Sequence, residues 1–207
     1  MVNLIKYRAF LITAIFGLFG GALTSLLNIE ELKSTYIGLS LLISLVISLL
    51  ISFFLKLKWT RKTRDRVKMI SLALFLLMLV AMYFFIKTFN NNTFYYKDIV
   101  SKKGGYYVKG DELQDNAKSY MEAYQKAKGT ELSPEQLIID KGGPENADQV
   151  WRKTSINNNK LGLLVSYSLL VITFVSSVCL LTEVLASRYK KSTEKSIEKT
   201  TEEDKKS

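Results

Sequence analysis

Apolar residues along this chain gather in four long blocks, and the charged residues are set between them. The blocks run from Ala9 to Leu27, Tyr36 to Leu55, Met69 to Ile86 and Leu161 to Thr182, and none contains Asp, Glu, Lys or Arg. Each holds about 18–22 residues, which as a helix covers the roughly 30 Å hydrocarbon core of a bilayer. Lipid offers backbone N–H and C=O groups no partner, so a spanning block satisfies its own polar groups as a helix. A soluble fold of this length would spread its apolar residues at helix or strand periods. The pattern therefore predicts a mainly α integral membrane protein of four transmembrane helices, with a small α+β domain (a hairpin plus helices) between helices 3 and 4. A second reading of the first block stays open. Lys6 and Arg8, an apolar stretch and small residues near Ala22 also describe a cleaved signal peptide, which would leave three spans in the same orientation.

Lys and Arg in the connecting segments predict the orientation. The basic loop 56–68 carries seven positive charges and one negative, whereas Asn28–Thr35 has only Lys33 against Glu30 and Glu31. The basic loop is thus expected in the cytoplasm, together with the N-terminus and the tail that begins Arg188-Tyr189-Lys190-Lys191. The same count puts the domain at 88–160 outside. Three predicted spans therefore occupy 1–87, the fourth with its cytoplasmic end 161–187, and a charged tail 188–207. Net charge is +10, but the excess sits in the basic loop and tail. That distribution fits anionic lipid better than nucleic acid, and Trp59 fits an interfacial aromatic.

Within the second block Ser40, Ser44, Ser48 and Ser52 recur every four residues, one polar strip along a helix. Small residues follow a matching strip in the first block, including Gly17, Gly21 and Ser25. Gly162, Ser166, Thr173 and Ser177 mark a face of the fourth, while the third has Ser71 near its end and reads as lipid-facing or filler. Close helix packing explains such strips, since small residues let backbones approach and hydroxyls bond across the interface. A hydroxyl-lined path in a homo-oligomer explains the serine strip as well. No Asp, Glu, Lys or Arg lies in the central part of any block, which argues against an ion-coupled transporter.

In the segment between the third and fourth blocks, Thr88 to Asn92 reads as a polar linker. Phe94–Val100 and Tyr106–Val108 flank Gly104-Gly105 as a hairpin. Asp111 is expected to cap a helix running to Lys128, closed by Gly129. Ser133-Pro134-Glu135-Gln136 is a capping box with Pro at the first helical position, and Gly142-Gly143-Pro144 stops that helix. A last short helix holds Val150 and Trp151. Tyr106, Tyr107 and Trp151 are candidates for a partner-binding face, although the aromatic residues here read mostly as the domain's own core.

The chain has no His and one Cys, Cys179, so an intrachain disulfide and a Cys cluster are excluded, and the usual neutral-pH acid–base group is missing. Asp111, Asp115 and Glu122 read as exposed helix acids. No phosphate-binding loop, zinc-protease or nucleophile-elbow motif occurs. No catalytic residue, cofactor or metal site is expected. The tail from Ser192 is mostly Lys, Glu, Ser and Thr, expected to be disordered or a frayed helix.

Gly142-Gly143-Pro144, Val150-Trp151 and Thr154-Ser155-Ile156, followed directly by a span, resemble small multi-pass modules of bacterial conflict and anti-phage defence systems. The resemblance covers about 30 residues and carries no catalytic signature. It implies an inner-membrane effector that assembles and opens pores or depolarises the membrane when a regulatory partner senses infection. The alternative is a non-conducting scaffold of an envelope complex that binds its partner through the soluble domain.

Overall fold

The computed structural model describes residues 32–54, 60–97 and 104–204, with the backbone alone at Ser52, Phe54, Arg61 and from residue 187 onward. The first apolar block with Gly17, Gly21 and Ser25 lies outside the described residues, as do positions 55–59, with Trp59, and 98–103. In chain order the elements are α1 (Lys33–Phe54), α2 (Arg61–Asn92), β1 (Thr93–Lys97), β2 (Gly104–Val108), α3 (Asp115–Lys128), α4 (Pro134–Asp140), a 3-10 turn (Pro144–Asn146), α5 (Ala147–Val150) and α6 (Lys153–Asp204).

Three of these helices are long and apolar enough to cross a membrane, over Lys33–Ile51, Lys62–Asn92 and Lys153–Ala186. The helices hold the second apolar block as far as Phe54 and the third and fourth blocks whole. Two outrun their blocks. At 1.5 Å per residue α2 is about 48 Å long, well beyond the hydrocarbon core. Its basic start, expected as loop, is helical from Arg61, because Thr60 caps it by accepting the Thr63 N–H at 3.2 Å. The expected linker Thr88–Asn92 is also helix, and so is Asn157–Asn159. Tertiary packing overrides the weak helix propensity of asparagine here. Phe89, Ile156 and Asn159 are buried, and Asn159 Nδ2 donates to the Lys109 carbonyl at 2.9 Å. The tail is helical in backbone through Asp204.

Helix α6 is the shared partner of the other two. Both α1 and α2 pack along it, and they meet each other where the Tyr36 and Phe85 rings stand edge to face at 6.5 Å. On α2 the interior positions are Val67, Ser71, Met78, Ala81 and Phe85, with Leu74 half-buried. Their spacing alternates four and three residues, a narrow seam of the coiled-coil kind. The third block is therefore neither filler nor wholly lipid-facing. Met69, Phe75, Leu76, Leu79 and Tyr83 stand exposed around the seam, as do Leu41, Leu45, Leu49 and Phe53 on α1. Large apolar side chains exposed on this scale are stable only against lipid or another protein.

Between α2 and α6, residues 93–97 and 104–152 hold the two-stranded sheet and the short helices, called the head below. Thr93 ends α2 and begins β1, and both its N–H and its hydroxyl donate to the Phe89 carbonyl. β1 pairs antiparallel with β2, Tyr95 opposite Tyr106. The chain then returns to the bundle, where Lys109 N–H meets the Asn92 carbonyl at 2.9 Å. The next helix begins at Asp115 behind Gln114, later than the expected Asp111 cap. Leu113 is drawn instead into a bridge with Trp151, made by Gln114 N–H to Val150 O and Arg152 N–H to Glu112 O, both 2.8 Å. Gly129 closes α3 at φ 66°. The capping box forms as expected, with the Ser133 and Gln136 side chains each accepting from the other's backbone N–H. The head's interior is Phe94, Val108, Leu137, Ile138, Val150 and Trp151.

Gly110 sits at the join between head and bundle, where a Cβ would collide with Ser155 Oγ and stand 2.6 Å from Trp151 Cβ. Gly110→Ala should therefore destabilise the protein by about 1–3 kcal/mol. Thermal unfolding in detergent reads this, and an unchanged midpoint would show that the join is looser than described.

Candidate functional site

The polar side chains buried inside the bundle are chiefly hydroxyls, and their contacts between helices fall at two levels. The first lies next to the head. Tyr36 is near the start of α1, and one turn later comes Ser40. Facing them is Tyr167 of α6, with its ring centroid 4.3 Å from that of Tyr36 and 5.8 Å from Phe85. The Ser40 hydroxyl has one proton, which it gives to the Tyr36 carbonyl at 2.8 Å. It therefore accepts from the Tyr167 hydroxyl, 2.5 Å away. Ser44 repeats the backbone bond a turn further on, donating to the Ser40 carbonyl at 2.6 Å. The Tyr36 hydroxyl is buried and has no hydrogen-bond partner among the described residues. From this cluster an aromatic chain leads outward, Phe85 to Phe89 at 6.5 Å and Phe89 to Tyr106 of the hairpin at 5.0 Å.

The second level lies toward the other end of α2. Ser71 Oγ donates to the Ser177 carbonyl at 2.9 Å, and Ser177 Oγ donates to the Ser71 carbonyl at 3.0 Å. This reciprocal pair requires the two backbones to approach closely, which small residues at both positions permit.

Of the serine strip on α1, Ser40 and Ser44 are buried toward α6 and Ser48 is half-buried, while Ser52 is described in backbone only. On α6, Ser177 bonds across to α2, but Ser166 and Thr173 donate to carbonyls of their own helix, those of Leu163 and Leu169. The candidate partner face divides. Trp151 is interior, 2% exposed, against Phe94 at 5.5 Å. Tyr106 and Tyr107 are half-buried, with their rings against those of Tyr95 and Tyr96 respectively, and Tyr95 is the exposed ring of the four.

Sequence reasoning missed the roles of Tyr36, Tyr167 and Ser71. Tyr167 carries a signal, since it stands inside the fourth block with a serine on either side, Ser166 and Ser168. Tyr36 stands at the edge of its block, and Ser71 is a lone serine in a uniformly apolar run. No group of three His, Cys, Asp or Glu able to hold a metal ion stands among the described residues. The arrangement can hold helices together through hydroxyls, or present hydroxyls to a path between copies.

Two substitutions separate the tyrosines. Tyr167→Phe removes the donor to Ser40 and should cost about 0.6–1.7 kcal/mol, the range for hydroxyl bonds between membrane helices. Tyr36→Phe keeps the ring contacts and deletes an unpaired buried hydroxyl, so it should be neutral or stabilising. Unfolding in mixed micelles measures both, and equal losses for the two would contradict the assigned bonding. No protein-family model, curated protein or solved structure matches the chain.

Proposed function

We propose that this chain is a non-enzymatic, homo-oligomeric effector of the bacterial inner membrane, channel-like in action, with four spans and the head between the third and fourth. The observation that carries this reading is the serine strip of α1, whose buried members Ser40 and Ser44 are closed over by α6 through the bond from Tyr167. In a resting state the strip packs. When a regulatory partner shifts α6, the strip turns to a path shared between copies, and the membrane depolarises. The anti-phage setting is drawn from the resemblance around Gly142–Ile156.

The placement of the termini and basic segment in the cytoplasm has physical support in α2. Lys62 and Arg64 lie in its first turns, where the helix dipole is already positive, and no acidic residue stands in the first turn. That clash costs stability in water, and anionic headgroups of the cytoplasmic leaflet relieve it.

A second reading, the non-conducting scaffold, is favoured by one specific fact: the hydroxyls of Ser40 and Ser44 are both satisfied within a single chain. In that reading the strip is helix packing and the head binds the partner.

Membrane potential separates the two. Bacteria overexpressing the chain, followed with a voltage-sensitive dye, should depolarise slightly through the minor open population that exists without the partner, and the Ser44→Leu/Ser48→Leu variant should not while still inserting. Tyr167→Phe should deepen depolarisation under the effector reading and leave the potential untouched under the scaffold reading. Orientation has its own test in a Cys179→Ala background. Cysteine introduced at Lys126 should label from outside and cysteine at Lys62 only after permeabilisation, and the reverse pattern would invert the topology.

A further inference from the structure

The head holds a cleft of about 350 Å³ between α3, α4 and the start of α5. That volume lies at the small end of the range for ligand sites. Its floor is apolar, made by Ala117 and Leu137, both buried. Its rim is polar and comes from three separate elements: Asn116 and Tyr120 on α3, Lys141 just past α4, and Asp148 on α5. These residues take no part in the bundle's hydroxyl contacts.

We propose that this cleft binds a saccharide of one or two rings. Sugars present an apolar C–H face and a ring of hydroxyls that each donate and accept. Recognition therefore needs an aromatic ring, an apolar floor, and side chains that offer donors and acceptors together. Tyr120 supplies the ring, 46% exposed. Its neighbour Lys141 reaches it only at 5.7 Å from the centroid, a loose contact that a ligand can replace. Asn116, Gln114 and Gln149 supply amides, and each amide carries two donors and an acceptor. Gln114 spends one N–H on the Asp148 carbonyl at 3.2 Å and Gln149 one on Asn146 Oδ1 at 3.0 Å, leaving both amide oxygens to accept.

Charge narrows the class. Lys141 and Asp148 are the two charged residues of the lining, and their formal charges cancel. A phosphorylated ligand would need a surplus of cations. Asp148 suits sugar hydroxyls as an acceptor, and Lys141 suits them as a donor. The inference concerns the head alone and stands whether or not the bundle conducts.

The test uses the full chain in lipid nanodiscs, titrated with chitobiose, maltose and the zwitterion alanyl-alanine, with binding read by isothermal calorimetry. Saturable binding of at least one disaccharide is expected, weakened about tenfold by Tyr120→Ala and by Asp148→Asn. Both side chains are exposed, so an unchanged melting temperature checks that the variants fold. Preference for chitobiose would support an amino-sugar polymer as the source, and preference for maltose a neutral glucan. Absence of disaccharide binding, undiminished binding by both variants, or selective binding of the dipeptide would overturn the proposal.

Discussion

A hydroxyl buried in an apolar helix bundle is cut off from water, so it bonds inside the bundle or stays unpaired, as that of Tyr36 does. That constraint organises the long helices of this protein. Ser71 and Ser177 solve it by exchanging bonds with each other's backbone. Ser40 solves it with its own helix and Tyr167. Both solutions run through α6, so α6 holds α2 at one level and α1 at the other. Hydroxyl bonds between membrane helices are worth about 0.6 kcal/mol each on average, so their effect is less to glue the bundle than to fix its register. Tight apolar packing at Leu163, Leu170, Val171 and Val175 supplies the bulk of the association.

The three long apolar helices that the structure describes are legible in the sequence because length and absence of charge suffice to mark them. The packing seams are not. In a soluble helix the buried face is apolar and the rest polar, so the face can be read from the pattern. On α2 the seam residues Val67, Met78 and Phe85 differ little in character from the outward Met69, Leu76 and Phe84. Lipid and protein interior ask for the same side chains, so the alternation of four and three is hidden. Only Ser71 breaks the uniformity. On α1 the strip is visible because serine recurs at each turn, yet its partner Tyr167 cannot be paired with it from the sequence alone.

In the head, the legible signals are the local ones. The capping box at Ser133 and the left-handed stop at Gly129 depend on neighbours within a turn. Asp111 carries the right chemistry for a helix cap, but the bridge from Leu113 to Trp151 competes for the same stretch. Two backbone hydrogen bonds and the burial of Trp151 outweigh one N-cap, worth about 1 kcal/mol. The polar runs at Asn90–Asn92 and Asn157–Asn159 mislead for a related reason. Asparagine signals a loop when solvent surrounds it, and here Asn159 has a backbone acceptor waiting on the strand side.

These joins decide what the head can do to the bundle. Thr93 leaves α2 without a linker, Lys109 bonds back to Asn92, and Asn159 ties α6 to Lys109. Glu112 N–H donates to Ser155 on the first turn of α6, and Arg152 reaches Glu112 and Asp115 at 3.4 Å. The two ion pairs are exposed and contribute little. The backbone and buried bonds matter more, because they fasten the head directly to both helices. From Asn159 to Tyr167 the chain is one continuous helix, a rise of about 12 Å. A change in the head that tilts the start of α6 is therefore delivered to the Tyr167 hydroxyl as a rigid displacement. A shift of about 1 Å there is enough to break a hydrogen bond, which puts the Ser40–Tyr167 contact within reach of events in the head.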